Sequence, residues 1–324
     1  MDRRSLLAAP LVLAAGSALA KGHVKAAPKW PEPAAIIDLW PNGVTGQLNP
    51  DLKEVTIDEP QDGMAHFRHL YGVSRPRMAV FPAKKPTGGA MLVIPGGGFV
   101  NNYFDHEGYM LADYLNGQGV TCFVLFYRLA KDGWANKADV GLIDTFRAMR
   151  LVKAHAATYG FDPGRAGVIG FSAGGFLTAS LATRHAQTLY APTDASDALD
   201  ARPSLAAPIY PVQTVDPAYA YDGVGPTLFD NNVMPDIIAK YSPDQNVDAD
   251  TPPVFLCHAE DDTTVPVANS TVFRDALRAK NITVETHLFA SGGHGFGMKP
   301  DLNQPYHIWP QLFAAFAKSQ GLMG

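Results

Sequence analysis

The sequence predicts an α/β protein with a mostly parallel sheet that is covered by helices on both faces. Three observations carry this prediction. From residue 90 onward, short apolar runs typical of strands alternate with longer helical patterns. The run at 121–127 is apolar almost throughout, as in a strand that is buried on both faces. A Gly-x-Ser-x-Gly turn at 170–174 lies between an apolar strand and a helical pattern.

The individual elements follow from the same patterns. Residues 36–82 contain short strand candidates that Pro and Gly interrupt. One strand leads directly into the Gly-x-Ser-x-Gly turn. The other strands are expected at 78–81, 90–94, 121–127, 206–210, 254–257 and 284–289. Helices are expected at 105–117, 139–159, 176–182, 267–280 and 307–319.

Composition excludes several classes of partner. The chain has 324 residues, of which 47% are hydrophobic and 18% charged, as in a globular protein with a large core. A net charge of −5 gives no basic footprint for nucleic acid or anionic lipid. Cys122 and Cys257 lie inside apolar runs, and we interpret them as buried, unreactive thiols.

The N-terminal segment predicts export. Arg3 and Arg4 precede a short apolar stretch, and residues 18–20 have the small-x-small form of a cleavage site. We interpret residues 1–20 as a removable signal, which leaves no stable membrane insertion because the apolar run is too short to span a bilayer. Paired arginines favour a twin-arginine signal slightly over a general secretory one. The expected location is therefore periplasmic or secreted.

The rest of the chain predicts one catalytic domain. Residues 21–35 read as an irregular leader, and residues 36–324 show no repeat and no interdomain linker. Residues 213–250 are longer than a plain connection and are rich in Pro, Asp and Tyr. We interpret them as a modest insertion after the sixth core strand, at the rim of the substrate site.

Ser172 is the candidate nucleophile. It stands at the centre of the Gly-x-Ser-x-Gly turn, where a strained backbone requires that Gly170 and Gly174 lack side chains. A serine hydroxyl attacks near pH 7 only when a neighbouring base takes its proton and a third group holds that base.

The base and the acid are expected downstream of Ser172. His294 is enclosed by glycines in a loop after the last strand, and we interpret it as the base. Glu260, Asp261 and Asp262 are adjacent acids after another strand, so the choice among them is open. Asp262 is favoured because it begins a turn into the next helix. Asp261 would instead cap that helix or have no role in the triad.

The glycine run at 96–98 is the candidate oxyanion hole. It follows an apolar strand upstream of the turn, and backbone N–H groups of Gly97 and Gly98 would face a developing negative charge. The N–H of Ala173, the residue after Ser172, would complete the hole. No metal-ligand spacing, phosphate loop or dinucleotide fingerprint is present, so neither a metal nor a cofactor is expected.

Several of these motifs together resemble a known family. The motifs are Leu-Trp-Pro-Asn-Gly at 39–43, Ile-Pro-Gly-Gly-Gly-Phe at 94–99, His-Glu-Gly at 106–108, Tyr-Arg-Leu at 127–129, the turn at 170–175, the Asp262 turn and Gly-His-Gly-Phe-Gly at 293–297. Over residues 36–320 the chain is similar to α/β-hydrolases of the acetylesterase group, often labelled acetyl-xylan esterase or xylanase-associated esterase. The resemblance implies an α/β-hydrolase fold with Ser172, Asp262 and His294 as the triad. Pro95 stands where the related lipase-type motif has histidine.

The resemblance and the motifs together predict an exported serine esterase that acts on acetylated carbohydrate or another small ester. Alternatives are a general short-chain carboxylesterase, a feruloyl-type esterase, a peptidase and a non-catalytic carbohydrate-binding protein. Four aromatic residues are candidates for substrate contact: Phe99, Tyr219, Tyr221 and Phe296. Phe99 and Phe296 are expected to narrow the acyl pocket, and the tyrosines to stack on a sugar.

Overall fold

The computed structural model describes residues 31–61, 64–301 and 303–324 of the chain. The predicted signal at 1–20 lies outside these residues, as does the predicted leader up to residue 30. Within the described part, none of the helices combines the length and the apolar character needed to cross a membrane.

In the described part of the chain, ten strands form two sheets. In chain order they are β1 (Ala35–Asp38), β2 (Val55–Asp58), β3 (Arg68–Tyr71), β4 (Arg77–Phe81), β5 (Ala90–Ile94), β6 (Thr121–Phe126), β7 (Ala166–Phe171), β8 (Ala206–Ile209), β9 (Val254–Ala259) and β10 (Val284–Phe289). The large sheet has eight strands in the order β1-β4-β6-β5-β7-β8-β9-β10, and β2 and β3 pair separately. Strands β5 to β10 of the large sheet run parallel, whereas β1 and β4 are antiparallel to their neighbours. The predicted mostly parallel sheet is confirmed.

Among the residues that the structure describes, eight α-helices accompany the sheet: α1 (Met110–Gly117), α2 (Val140–Ala154), α3 (Ala156–Tyr159), α4 (Ala173–Arg184), α5 (Val224–Phe229), α6 (Pro235–Tyr241), α7 (Ala268–Ala279) and α8 (Trp309–Ser319). Every residue of β5 to β9 is buried, which requires cover on both faces of the sheet. Helix α4 is also buried along its whole length, where it packs against α2, β7 and β8. The Ser172 turn is therefore held between two buried elements.

Two predicted elements differ from the observed ones. The helix expected at 139–159 is divided at His155, whose backbone leaves helical geometry, and α3 then ends at Gly160 in the left-handed region. Residues 213–250, predicted as an insertion without assigned elements, follow β8, the sixth strand of the large sheet, and contain α5 and α6. Pro235 opens α6, where its fixed φ and missing N–H suit the first helical position.

Candidate active site

Four strand ends bring the candidate site together. Strands β5, β7, β9 and β10 are parallel, so the segments that leave their carboxyl ends meet at one edge of the sheet. These segments carry Gly97, Ser172, Asp262 and His294 respectively. The sequence separates the serine from the histidine by 122 positions, yet their side chains are in hydrogen-bond contact.

Ser172 occupies a strained turn between β7 and α4. Its φ of 52° and ψ of −116° lie outside the regions that L-residues usually adopt. A Cβ at Gly170 would lie 2.3 Å from the Gly174 carbonyl oxygen, and one at Gly174 would lie 2.2 Å from the Ile94 carbonyl oxygen. Both glycines are thus required by close approach of backbone, as the sequence predicts. Neighbouring backbone holds the turn, since the Ser172 N–H donates to the Ile209 carbonyl at 3.0 Å.

His294 joins the serine to the acid. Its Nε2 lies 2.8 Å from Ser172 Oγ, and its Nδ1 lies 2.6 Å from Asp262 Oδ2. Because a carboxylate only accepts, Nδ1 carries the hydrogen and donates it to Asp262. Nε2 of the neutral ring is then the acceptor for the Ser172 hydroxyl, which is the arrangement that a general base requires.

The Asp262 carboxylate has all its acceptor positions occupied. Oδ1 accepts from the backbone N–H groups of Thr264 and Val265, each at 2.9 Å. Oδ2 accepts from His294 and from Nε2 of a second histidine, His258, at 3.1 Å. Burial acts to raise the pKa of Asp262, but the hydrogen bonds from His258, His294 and the Val265 N–H lower it by more, so its pKa lies below the usual range.

Asp261 has a different partner from its neighbour. Its Oδ1 accepts from the Gly293 N–H at 2.8 Å, so it holds the loop that carries His294 without touching the imidazole. The expectation that Asp261 caps the following helix finds no support, because α7 has no side-chain cap. Among the adjacent acids, the structure brings Asp262 to the histidine.

The glycine turn after β5 presents free donors beside Ser172. Gly97 and Gly98 both have positive φ, at 133° and 61°, and both line the cavity that contains the serine. Their N–H groups, and that of Ala173 at the start of α4, donate to no other described residue. Unpaired backbone donors of this kind can stabilise the oxyanion of a tetrahedral intermediate.

A buried carboxyl group supports the glycine turn, and sequence reasoning missed its role. Glu107 Oε2 accepts from the Gly96 N–H at 2.8 Å, and Oε1 accepts from the Tyr210 hydroxyl at 2.7 Å. Tyr210 in turn accepts from the Gly297 N–H at 2.9 Å and packs against the His294 ring. Burial raises the pKa of Glu107, while the hydrogen bonds from Tyr210 and Gly96 act in the opposite direction. One carboxyl group thus connects the glycine turn with the histidine loop.

A cleft of about 250 Å³ opens on these groups. Its lining residues are Phe67, Gly97, Gly98, Tyr103, His106, Glu107, Ser172, Tyr221, Thr264, His294, Gly295 and Lys299. Of the four aromatic residues expected to contact substrate, Tyr221 lines the cleft, and its hydroxyl lies beside Gly98.

The other three aromatic candidates lie elsewhere. Phe99 is buried edge-to-face against Phe176, and Phe296 is buried between the rings of Tyr210 and Tyr306. Both side chains therefore fill the core behind the cleft and do not narrow its surface. Tyr219 is 45% exposed and is not part of the cleft lining. Tyr221 is two residues further along the chain, so one of the two tyrosines faces the cleft and the other faces solvent.

Cys122 and Cys257 are free and fully buried, and burial raises the pKa of both thiols, as expected for unreactive cysteines. Within residues 31–61, 64–301 and 303–324, no three His, Cys, Asp or Glu side chains form a group that could hold a metal ion. The expectation of no metal and no cofactor stays a prediction.

Comparison with known proteins extends these observations. A family model described as BD-FAE matches residues 80–277. The crystal structure of an acetyl ester-xyloside bifunctional hydrolase from Caldicellulosiruptor lactoaceticus is similar with a TM-score of 0.74 and 29% identity, over 90% of this chain and 98% of that one. A carboxylesterase of Lactobacillus plantarum, at 20% identity and a TM-score of 0.64, shares the fold over 84% of this chain and 99% of its own. These likenesses confirm the α/β-hydrolase fold.

Two of the relatives that are similar in sequence show how much of the chain is matched. An acetylxylan esterase of Xylanibacter ruminicola is 28% identical over 249 residues, which cover 76% of this chain and 46% of the relative. Endo-1,4-beta-xylanase B of Butyrivibrio fibrisolvens is 30% identical over 256 residues, which cover 79% of this chain and 40% of the relative. The matched part therefore spans less than half the length of each of these curated relatives.

Proposed function

The chain belongs to the BD-FAE family, and we propose that it is a serine carboxylic-ester hydrolase that acts on acetyl esters. Family membership and the similar proteins confirm the predicted resemblance to an α/β-hydrolase acetylesterase group. The observation that carries the proposal is the continuous hydrogen-bonded series from Ser172 through His294 to Asp262, next to the unpaired N–H groups of Gly97, Gly98 and Ala173.

The proposed reaction has two halves. Ser172 Oγ attacks the ester carbonyl while His294 Nε2 takes the hydroxyl proton, and the carbonyl oxygen becomes an oxyanion held by the backbone donors. The C–O bond to the alcohol breaks, the alcohol leaves with the proton from His294, and an acyl-enzyme on Ser172 remains. A water molecule then attacks the acyl-enzyme by the same route and releases the acid.

The carbohydrate part of the proposal rests on similar proteins and on the cleft. One relative is named acetylxylan esterase, and the similar crystal structure is titled an acetyl ester-xyloside bifunctional hydrolase. Phe67, Tyr103 and Tyr221 give the cleft aromatic surface on which a sugar can pack. We therefore propose O-acetylated carbohydrate as the substrate. A general short-chain carboxylesterase or a feruloyl-type esterase is the alternative.

Acetate release tests this function. The purified protein is incubated with acetylated xylan and with 4-nitrophenyl acetate, and both products are measured against the variant Ser172→Ala. We expect wild type to release acetate from both substrates, and the variant to lose about 10⁴-fold or more in kcat/KM. Hydrolysis of 4-nitrophenyl acetate without release from any acetylated polysaccharide would favour the general carboxylesterase. Unchanged activity in Ser172→Ala would exclude the proposed mechanism.

Export remains part of the proposal, and it rests on the sequence of residues 1–20 alone. Cell fractionation of the full chain, and of the same chain with Arg3 and Arg4 replaced by lysine, tests it. We expect the full chain outside the cytoplasm and the double variant retained, because a twin-arginine signal depends on both arginines. Export of both chains would instead indicate a general secretory signal.

A further inference from the structure

Lys299 is the one lysine or arginine among the described residues that line the cleft of Ser172. Its position is fixed by the backbone around it. The Lys299 N–H donates to the Phe296 carbonyl, and the preceding Met298 N–H donates to the His106 carbonyl, each at 2.9 Å. The side chain therefore starts from an anchored segment and borders the same space as the proposed nucleophile.

The Lys299 ammonium has no counter-ion in contact. It forms no ion pair or hydrogen bond with any residue of the described ranges, and it stands 5.4 Å from the centre of the Phe67 ring. Burial lowers the pKa of Lys299, and the charge of Glu107 acts in the opposite direction. The Glu107 carboxyl group makes no hydrogen bond or ion pair with Lys299; its oxygens accept instead from Gly96 and Tyr210.

The wall below this ammonium is flat and aromatic. Phe67 stacks on His106 with ring centres 4.5 Å apart, and Tyr103 packs against Phe67 at 5.6 Å. Burial, with the charge of Lys299 as a second cause, lowers the pKa of His106 to about 3, so this imidazole is neutral near pH 7. Lys299 is therefore the cationic side chain on this side of the cleft.

We propose that Lys299 binds a carboxylate on the alcohol portion of the ester, so that the preferred substrate is an acetylated carbohydrate carrying a uronic acid. This inference rests on the proposed function. A partly buried cation without a partner is costly, whereas a charge-assisted bond to a carboxylate satisfies it. A neutral sugar in the same position would leave the ammonium desolvated and unpaired, so the site also discriminates against neutral esters.

We assign the carboxylate to the alcohol portion of the ester because the acetyl group is too small to carry it. An acetyl group bound at the oxyanion donors has no substituent that could reach another wall of the cleft. The sugar is the part of the substrate that extends from Ser172 across Phe67 and Tyr103. A carboxylate on that sugar can meet Lys299 while a ring face packs on the aromatic wall.

A pair of isosteric substrates tests the proposal. One is a mono-O-acetylated methyl glucuronide, and the other is the corresponding uronamide, which has the same shape and no charge. We expect the wild-type kcat/KM to be at least about tenfold higher for the acid. Lys299→Met should bring the ratio of the two kcat/KM values close to one, and Lys299→Arg should retain most of the preference. Lys318→Met, on the exposed side of α8, is the matched control and should keep the wild-type ratio.

Two outcomes would overturn the proposal. One is a wild-type ratio near one. The other is an equal loss on both substrates in Lys299→Met, which would mean that the lysine only balances the charge of Glu107. Hydrolysis of 4-nitrophenyl acetate by wild type, measured in parallel, keeps this question separate from the proposed function. An active esterase without acid preference contradicts the carboxylate site alone, whereas an inactive protein contradicts the esterase itself.

Discussion

At the scale of single residues, the hydrogen bonds of the Asp262 carboxylate distinguish Asp262 from the neighbouring acids. Two backbone N–H groups fix one oxygen, and His258 and His294 share the other. His258 is itself held, because its Nδ1 lies 2.8 Å from Ser270 Oγ. Asp262 thus accepts three hydrogen bonds besides the one from His294, the proposed base. Asp261 accepts one hydrogen bond, from the backbone of the loop that carries His294.

Replacing each aspartate by asparagine should separate their roles. Asp262→Asn removes an acceptor that fixes the His294 tautomer, and we expect kcat to fall by about 10³–10⁴-fold. Asp261→Asn keeps an oxygen that can accept from Gly293, and it should cost less than about tenfold. Steady-state hydrolysis of 4-nitrophenyl acetate measures both. Equal losses in the two variants would show that Asp262 is not the orienting acid.

The lowered pKa of Asp262 also predicts a pH dependence of stability. An acid whose pKa is lower in the folded state stabilises that state above its unfolded pKa, about 3.9 for aspartate, and this contribution is lost as pH falls towards the folded pKa. We expect the difference in free energy of unfolding between wild type and Asp262→Asn to be larger near pH 6 than near pH 3. Denaturant titrations at the two pH values measure it. A difference that does not change with pH would contradict the lowered pKa.

The role of a residue could be predicted from the sequence where its immediate sequence neighbours form a recognisable motif. Ser172 and His294 stand between glycines, and their order with Asp262 fits one known architecture. Glu107 and Tyr210 carry no such mark, because their contact joins positions that are 103 residues apart. The cleft position of Lys299 likewise depends on how the loop after β10 packs on His106.

At the scale of elements, the strand ends and their glycines set the site. The turn after β7 and the turn after β5 touch through backbone, since a Cβ at Gly174 would meet the carbonyl oxygens of Ile94 and Pro95. The sequence predicts the strained turns because only glycine fits them. It does not predict the break of the long helix at His155 or the two helices after β8. Tertiary packing, and not sequence periodicity, decides whether such short helices form.

A single methyl group added at Gly174 should therefore disrupt the site. The new Cβ would lie 2.2 Å from the Ile94 carbonyl oxygen, so the β5 and β7 turns must separate. We expect Gly174→Ala to lower both esterase activity and the melting temperature. Gly117→Ala, at the end of α1, is the matched control, because its added Cβ has no atom within 4 Å other than its chain neighbours and the backbone of its own helix. Normal activity and melting temperature in Gly174→Ala would contradict the observed packing.

At the scale of the whole molecule, the size of the cleft predicts acyl selectivity. Phe99 and Phe296 are buried behind the cleft and do not narrow it. The cleft volume of about 250 Å³ is therefore what limits the length of the acyl chain. Each methylene that fits gains about 0.8 kcal/mol from burial, whereas one that clashes costs more. We expect kcat/KM on 4-nitrophenyl esters to fall from acetate through butyrate to octanoate. Faster hydrolysis of octanoate than of acetate would contradict the acetylesterase proposal.

The central claim is that the whole arrangement activates Ser172 as a nucleophile, and covalent labelling tests it most directly. Wild type, Ser172→Ala and Asp262→Asn are treated with a fluorophosphonate at neutral pH, and the site is located by peptide mass spectrometry. We expect one adduct, on Ser172, in wild type, none in Ser172→Ala, and much slower labelling in Asp262→Asn. An unlabelled wild-type protein that still hydrolyses 4-nitrophenyl acetate, or an adduct that persists in Ser172→Ala, would contradict the account.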